Sequence, residues 1–107
     1  MPTIAQIFDD MKQRLTLEKA QRMNASYLFD IGGEEGGKWH VDLTKQSDWI
    51  HETHQDEAAQ CVICVPKGED WVAIATGKMN PTMAFMQGKI KVQGDMGLAL
   101  KLQSLLA

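Results

Sequence analysis

The 107-residue sequence has little of what marks a specialised chain: two cysteines, three prolines, one tyrosine, and 11 basic residues against 14 acidic ones. A formal charge of −3 without clustered Lys and Arg leaves no footprint for neutralising phosphates, which excludes nucleic acid as a partner. Two cysteines cannot make a disulfide scaffold, and reduced structural thiols suit a chain that stays inside the cell. No apolar run approaches the roughly 20 residues a membrane span needs. The richest segment, MGLALKLQSLLA, has 12 residues and contains Lys101. The opening MPTIAQIFDDMKQRL mixes acids among its apolar residues and lacks the basic start and apolar core of a secretory leader. The end, Ser104-Leu105-Leu106-Ala107, is not the S-K-L import tripeptide. A cytoplasmic location is the expectation.

What is present is an ordinary globular composition, 44% hydrophobic and 23% charged, in a length that fits one domain, 1–107. Thr3-Ile4-Ala5-Gln6 has the form of a capping box, and Ile4, Ile7, Phe8, Met11 and Leu15 repeat at helical spacing behind it. Tyr27, Phe29 and Ile31, then Trp39, Val41 and Leu43, alternate with their neighbours as strands do. Further strands are expected over 48–53 and 58–65, and another around Ile90 and Val92. A short helix opened by Glu69 and Asp70 runs to Gly77, a second follows the Asn80-Pro81 cap, and a last one spans Met96 to about Leu106 behind Asp95. Helix, strands, helices, strand, helix is an α+β pattern with a mainly antiparallel sheet.

Gly32 to Trp39, GGEEGGKW, reads as G-x-x-x-x-G-K, the phosphate-loop pattern without its final Ser or Thr. Such a loop must feed a helix whose amides hold the anion, whereas this one feeds a strand. Glu34 and Glu35 also place like charge where phosphate would lie. The segment therefore reads as a glycine-rich hairpin turn.

His51-x-x-His54 followed by Cys61-x-x-Cys64 offers four zinc-type donors. On a strand, however, Cys61 and Cys64 point to opposite faces about 10 Å apart, too far to share one ion or one disulfide. No metal and no cofactor are expected. Glu18, Asp30, Asp42 and Glu52 are scattered, and no nucleophile or general base stands out.

The C-terminal third is more distinctive. Met79, Met83, Met86 and Met96 cluster beside Phe85; methionine both fills irregular core gaps and lines cavities that accept ligands of several shapes. In the last helix, Leu98, Ala99, Leu102, Leu105 and Leu106 make one apolar stripe, and Met96 and Leu100 lie off it. A helix with two apolar surfaces needs a second cover: a partner protein, more of the chain, or an apolar ligand.

This segment, TGKMNPTMAFMQGKIKVQGDMGLALKLQSLL, closely resembles the C-terminal half of the sterol carrier protein type 2 domain family. GKMNP and AFMQGKIKVQGDMGLALKLQ carry the likeness, GKWHVDL extends it, and it is weakest over 44–60. The resemblance implies an α+β fold whose five-stranded, mostly antiparallel sheet is covered on one face by helices, with an apolar tunnel between them. It implies a non-catalytic intracellular carrier of fatty acids, fatty acyl-CoA or sterols that makes transient contact with membranes or lipid-metabolising enzymes, with a ligand-dependent homodimer as a further expectation. The tunnel lining expected from that layout is Phe8, Met11, Leu15, Ile74, Met83, Phe85, Met86, Ile90, Met96, Leu100, Leu102 and Leu105. Arg14, Arg22 and Gln103 are the head-group candidates, since Arg grips a carboxylate bidentately and Gln can hydrogen-bond a hydroxyl. The competing reading is a non-catalytic interaction or dimerisation module that docks through its apolar C-terminal helix.

Overall fold

The computed structural model describes residues 2–106. Thr3 opens α1 (Ile4–Arg14) with both halves of a capping box: its hydroxyl accepts from the Gln6 amide, and the Gln6 side chain accepts from the Thr3 amide. Ile4, Ile7, Phe8 and Met11 are the buried face. Leu15 is extended, and a helix that periodicity did not reveal follows, α2 (Leu17–Met23). Thr16 caps it by accepting from the Lys19 amide, and Asn24 closes it in the left-handed region at φ 43°. Only Ala20 of α2 is buried, so it has no apolar stripe for a sequence reading to detect.

Five strands, β1 (Ser26–Ile31), β2 (Gly37–Asp42), β3 (Ile50–Thr53), β4 (Cys61–Val65) and β5 (Lys91–Gly94), form one sheet ordered β3-β2-β1-β4-β5. Three of its four pairings are antiparallel and the central β1–β4 pairing is parallel, so the sheet is mixed and mostly antiparallel. β3 starts later than expected, at Ile50, after Asp48 turns the chain at φ 54°, and β4 starts later, at Cys61, because residues 54–60 are the crossover that passes β2 and β1. That crossover is fastened to β1 where Ser26 and Gln60 each accept, through a side-chain oxygen, from the other's amide.

GGEEGGK joins β1 to β2 as a hairpin. Its glycines answer to backbone, not to phosphate: Gly32 donates its amide to the Val65 carbonyl at 2.8 Å, and a Cβ there would strike the Pro66 carbonyl. Gly33 takes φ +96°, which a residue with a Cβ resists.

Phe29, Trp39, Val41, Cys61, Ile63 and Val65 point to the helical side and join the core, whereas their neighbours Leu28, His40, Val62 and Cys64 face the other side. Phe8 of α1 is stacked between Trp39, at 4.5 Å and 7°, and Trp71, at 5.4 Å and 15°, with Phe29 edge-on at 5.5 Å. The remaining helices are α3 (Gly68–Ala75), α4 (Pro81–Met86), α5 (Met96–Leu100) and α6 (Leu102–Leu106).

The expected single helix from Met96 to Leu106 is two helices broken at Lys101. The Leu98 carbonyl, which an unbroken helix would offer to Leu102, instead accepts from the buried Tyr27 hydroxyl at 2.8 Å and from the Lys101 amide at 3.1 Å. Among the described residues no helix is long and apolar enough to cross a membrane.

Candidate functional site

Two short helices, each fixed by its cap, frame an apolar pocket. Asn80 caps α4 by accepting from the Thr82 and Met83 amides, with Pro81 pre-set in the first turn. Asp95 caps α5 in the same way through Gly97 and Leu98. The Tyr27–Leu98 hydrogen bond then ties α5 to the middle of the sheet. Between these helices and the sheet is a cavity of about 100 Å³. Its floor is the cross-strand pair Ile63 and Val92, with Ile90 just before β5. Pro81, Thr82 and Phe85 wall it on the α4 side, and Met96, Ala99 and Leu100 of α5 with Leu102 of α6 wall it on the other.

Thr82 is the one polar side chain among those described as lining this pocket, and none of them is titratable. Such a wall cannot activate a nucleophile or hold a metal; it can shelter hydrocarbon from water, which stabilises by about 0.8 kcal/mol per CH₂ buried. Around it the protein exposes large apolar side chains: Met86 is 74%, Leu100 72%, Met83 51%, Met96 46% and Phe85 40% accessible.

The residues nominated from the sequence divide into groups. Phe85, Ile90, Met96, Leu100 and Leu102 come together around the pocket. Phe8, Met11, Leu15, Ile74 and Leu105 are buried in the main core and are not among its walls. Met83 and Met86 project from α4 beside it. Arg14 donates to the Leu106 carbonyl at 3.3 Å, and Arg22 is ion-paired with Glu18 at 2.9 Å; neither borders the pocket. Gln103 opens on a second crevice of about 280 Å³ with Met79 and Leu106, and Pro81 is common to both spaces. Ile63, Pro81, Thr82, Val92 and Ala99 complete the walls without having been nominated; the signal for Ile63 was present, since it shares a strand face with Cys61 and Val65.

The cysteines behave as the strand geometry requires. Cys61 is fully buried on the core side and Cys64 is half-buried on the other. Burial, with Asp95 nearby, pushes the Cys61 thiol up to about 11; burial, with Asp30 nearby, raises Cys64. Burial also raises the Tyr27 phenol, helped by Cys61 and Asp95. These groups stay neutral at physiological pH and make poor nucleophiles or ligands.

Comparison with known proteins agrees with this architecture. Residues 4–107 match the SCP-2 sterol transfer family, and the chain belongs to it. Hydroxysteroid dehydrogenase-like protein 2 of Xenopus tropicalis is 37% identical over 103 residues, which cover 96% of this chain but only 24% of that protein. The chain thus spans about a quarter of that relative's length. Among solved structures, the apo form of Sterol Carrier Protein 2 from Yarrowia lipolytica superposes with a TM-score of 0.77 at 20% identity, covering 94% of this chain and 84% of that one. Palmitated SCP2L2 from Aedes aegypti superposes with a TM-score of 0.76 at 23% identity, covering 98% and 95%.

Proposed function

We propose that this domain is a non-catalytic lipid carrier, without cofactor, that holds a fatty acid, fatty acyl-CoA or sterol in the apolar pocket between α4, α5 and the β4–β5 end of the sheet. It passes that ligand between membranes or to lipid-metabolising enzymes. The observation that carries the reading is the pocket itself, whose apolar walls continue outward into exposed Phe85, Met96 and Leu100. Exposed side chains of this size in one place are costly unless something covers them. Family membership and the palmitate carried by the Aedes aegypti protein of the same fold support it further.

A cavity of about 100 Å³ is small beside the roughly 300–1,000 Å³ of ordinary small-molecule pockets, so loading requires the walls to part. Pro81 stands between this cavity and the crevice of about 280 Å³ that reaches Gln103. Displacing α4 joins the two spaces into a tunnel with an amide near one end, suited to a hydroxyl or head group. The carrier is proposed to act in the cytoplasm.

The test is native mass spectrometry of freshly purified protein followed by organic extraction. One fatty acid or sterol per chain, lost in Phe85→Asp, is the expected result. A lipid-free dimer that gains no thermal stability from either lipid would overturn the carrier reading in favour of a docking module.

A further inference from the structure

On the sheet face away from the helices, independent of the apolar pocket, three side chains converge. His40 of β2 and His51 of β3 are directly paired across the antiparallel ladder, and their rings lie 5.3 Å apart. Glu57, from the 54–60 crossover, reaches over both: its carboxylate is 2.9 Å from His51 Nε2 and 3.7 Å from His40 Nδ1. All three donor atoms lie within 4.8 Å of one another.

His40 shows what the arrangement is suited to. It is 93% buried by residue, yet its Nδ1 has no hydrogen-bond partner. Its Nε2 is 3.0 Å from the Ala58 carbonyl, which can only accept, so Nε2 carries a proton and Nδ1 is the nitrogen turned toward Glu57. An imidazole whose far nitrogen is fixed by a backbone carbonyl is the arrangement that orients metal-binding histidines. A buried acceptor left unpaired costs free energy that a cation would recover. Glu57 supplies the charge, with one carboxylate oxygen turned toward both rings. Lys38, two residues before His40 on β2, is ion-paired with Asp56 at 2.6 Å.

We infer that His40 Nδ1, His51 Nε2 and the Glu57 carboxylate form a binding site for a first-row divalent cation, with Zn²⁺ the best match; the ion displaces the proton that His51 Nε2 donates to Glu57 at 2.9 Å, so binding releases it. Two imidazoles and a carboxylate suit zinc, and a tetrahedral ion with bonds near 2.0–2.1 Å keeps its donors about 3.3 Å apart, between the present separations of His51 and His40 from Glu57. His51 is half exposed, which leaves a fourth position open to water. The ion fastens the crossover to the edge of the sheet, since Glu57 comes from one and the histidines from the other. His54 and the Cys61–Cys64 pair, the other donors in this region, take no part.

The experiment titrates chelator-stripped full chain with ZnCl₂ by calorimetry and with Co²⁺ by visible absorption, beside His51→Ala and Glu57→Gln, whose folding is checked by circular dichroism. Both variants change partly exposed side chains. One Zn²⁺ per chain is expected, with a raised thermal midpoint. A Co²⁺ spectrum without a thiolate charge-transfer band is expected too. Binding should weaken by at least about tenfold in each variant, the loss that removing even an outer-shell partner brings. No saturable binding, unchanged affinity in both variants, or a thiolate band pointing to Cys61 or Cys64 would overturn the site.

Discussion

The Tyr27 hydroxyl donates to the Leu98 carbonyl at 2.8 Å across 71 residues of chain, joining the central strand to the helix that walls the apolar pocket. Tyr27 is fully buried, so its polar end has to find a partner inside, and the carbonyl it takes is one that a continuous C-terminal helix would have used itself. The contact sits at the break before Lys101, on the helix that carries Met96 and Leu100 at the pocket rim.

Replacing Tyr27 with Phe keeps the ring and removes the donor. The expected cost is about 0.5–1.5 kcal/mol, because Leu98 retains the Lys101 amide as a partner and is not left wholly unpaired. Urea unfolding measures it. A loss several times larger would mean that the ring, not the hydroxyl, had been disturbed.

Alkali should act through the same region. Cys61 and Tyr27 have folded pKa values raised above their unfolded ones of about 8.5 and 10, so their protonated forms stabilise the fold. That contribution is complete below pH 8.5 and is lost as pH rises toward about 11, where the folded Cys61 thiol ionises. Thermal midpoints between pH 7 and 11 should be level and then fall, with a shallower fall in Cys61→Ala. At pH 8 a thiol reagent should modify half-buried Cys64 slowly and leave Cys61 untouched until the chain unfolds.

Phe8 is the keystone of the aromatic core, contacting Trp39, Trp71 and Phe29 at once. Phe8→Ala removes two stacked faces and leaves a cavity among rigid rings that cannot close over it. The expected loss is about 3–5 kcal/mol. Tryptophan emission followed through urea unfolding reports the same change twice, as a lower midpoint and as a red-shifted native spectrum.

Much of this architecture was legible because periodicity and caps are local. Thr3-Gln6, Asn80-Pro81 and Asp95 mark helix starts that the structure keeps, and the alternation over 27–31 and 39–43 gives β1 and β2. The GGEEGGK loop could be recognised as a turn because it feeds a strand. What stayed hidden depends on distant contacts. At the break the Leu98 carbonyl is taken by a tyrosine 71 residues away, and α2 has no buried stripe. The His40–His51–Glu57 cluster needs the β2–β3 register and the path of the crossover, neither of which the spacing of His51, His54, Cys61 and Cys64 suggests. The pocket was half legible: its rim belongs to a segment with helical pattern, whereas its floor pairs Ile63 with Val92 across strands 29 residues apart.

Leu100 separates ligand binding from folding. It is 72% accessible, so Leu100→Asp removes little that stabilises the fold and should change the unfolding free energy without ligand by no more than about 0.5 kcal/mol. In the loaded protein the same side chain would lie against the ligand, and a carboxylate there would have to be desolvated beside hydrocarbon. Palmitate at a hundred times its dissociation constant should stabilise the wild type by about 2.7 kcal/mol and slow amide exchange in α4 and α5. Leu100→Asp should lose most of that increment while keeping the wild-type exchange pattern without ligand. Leu102→Asp, by contrast, puts a charge at a position only 1% accessible and should fail to fold, because Leu102 serves the core as well as the pocket. An increment from palmitate that survives Leu100→Asp intact would place the acyl chain elsewhere in the molecule.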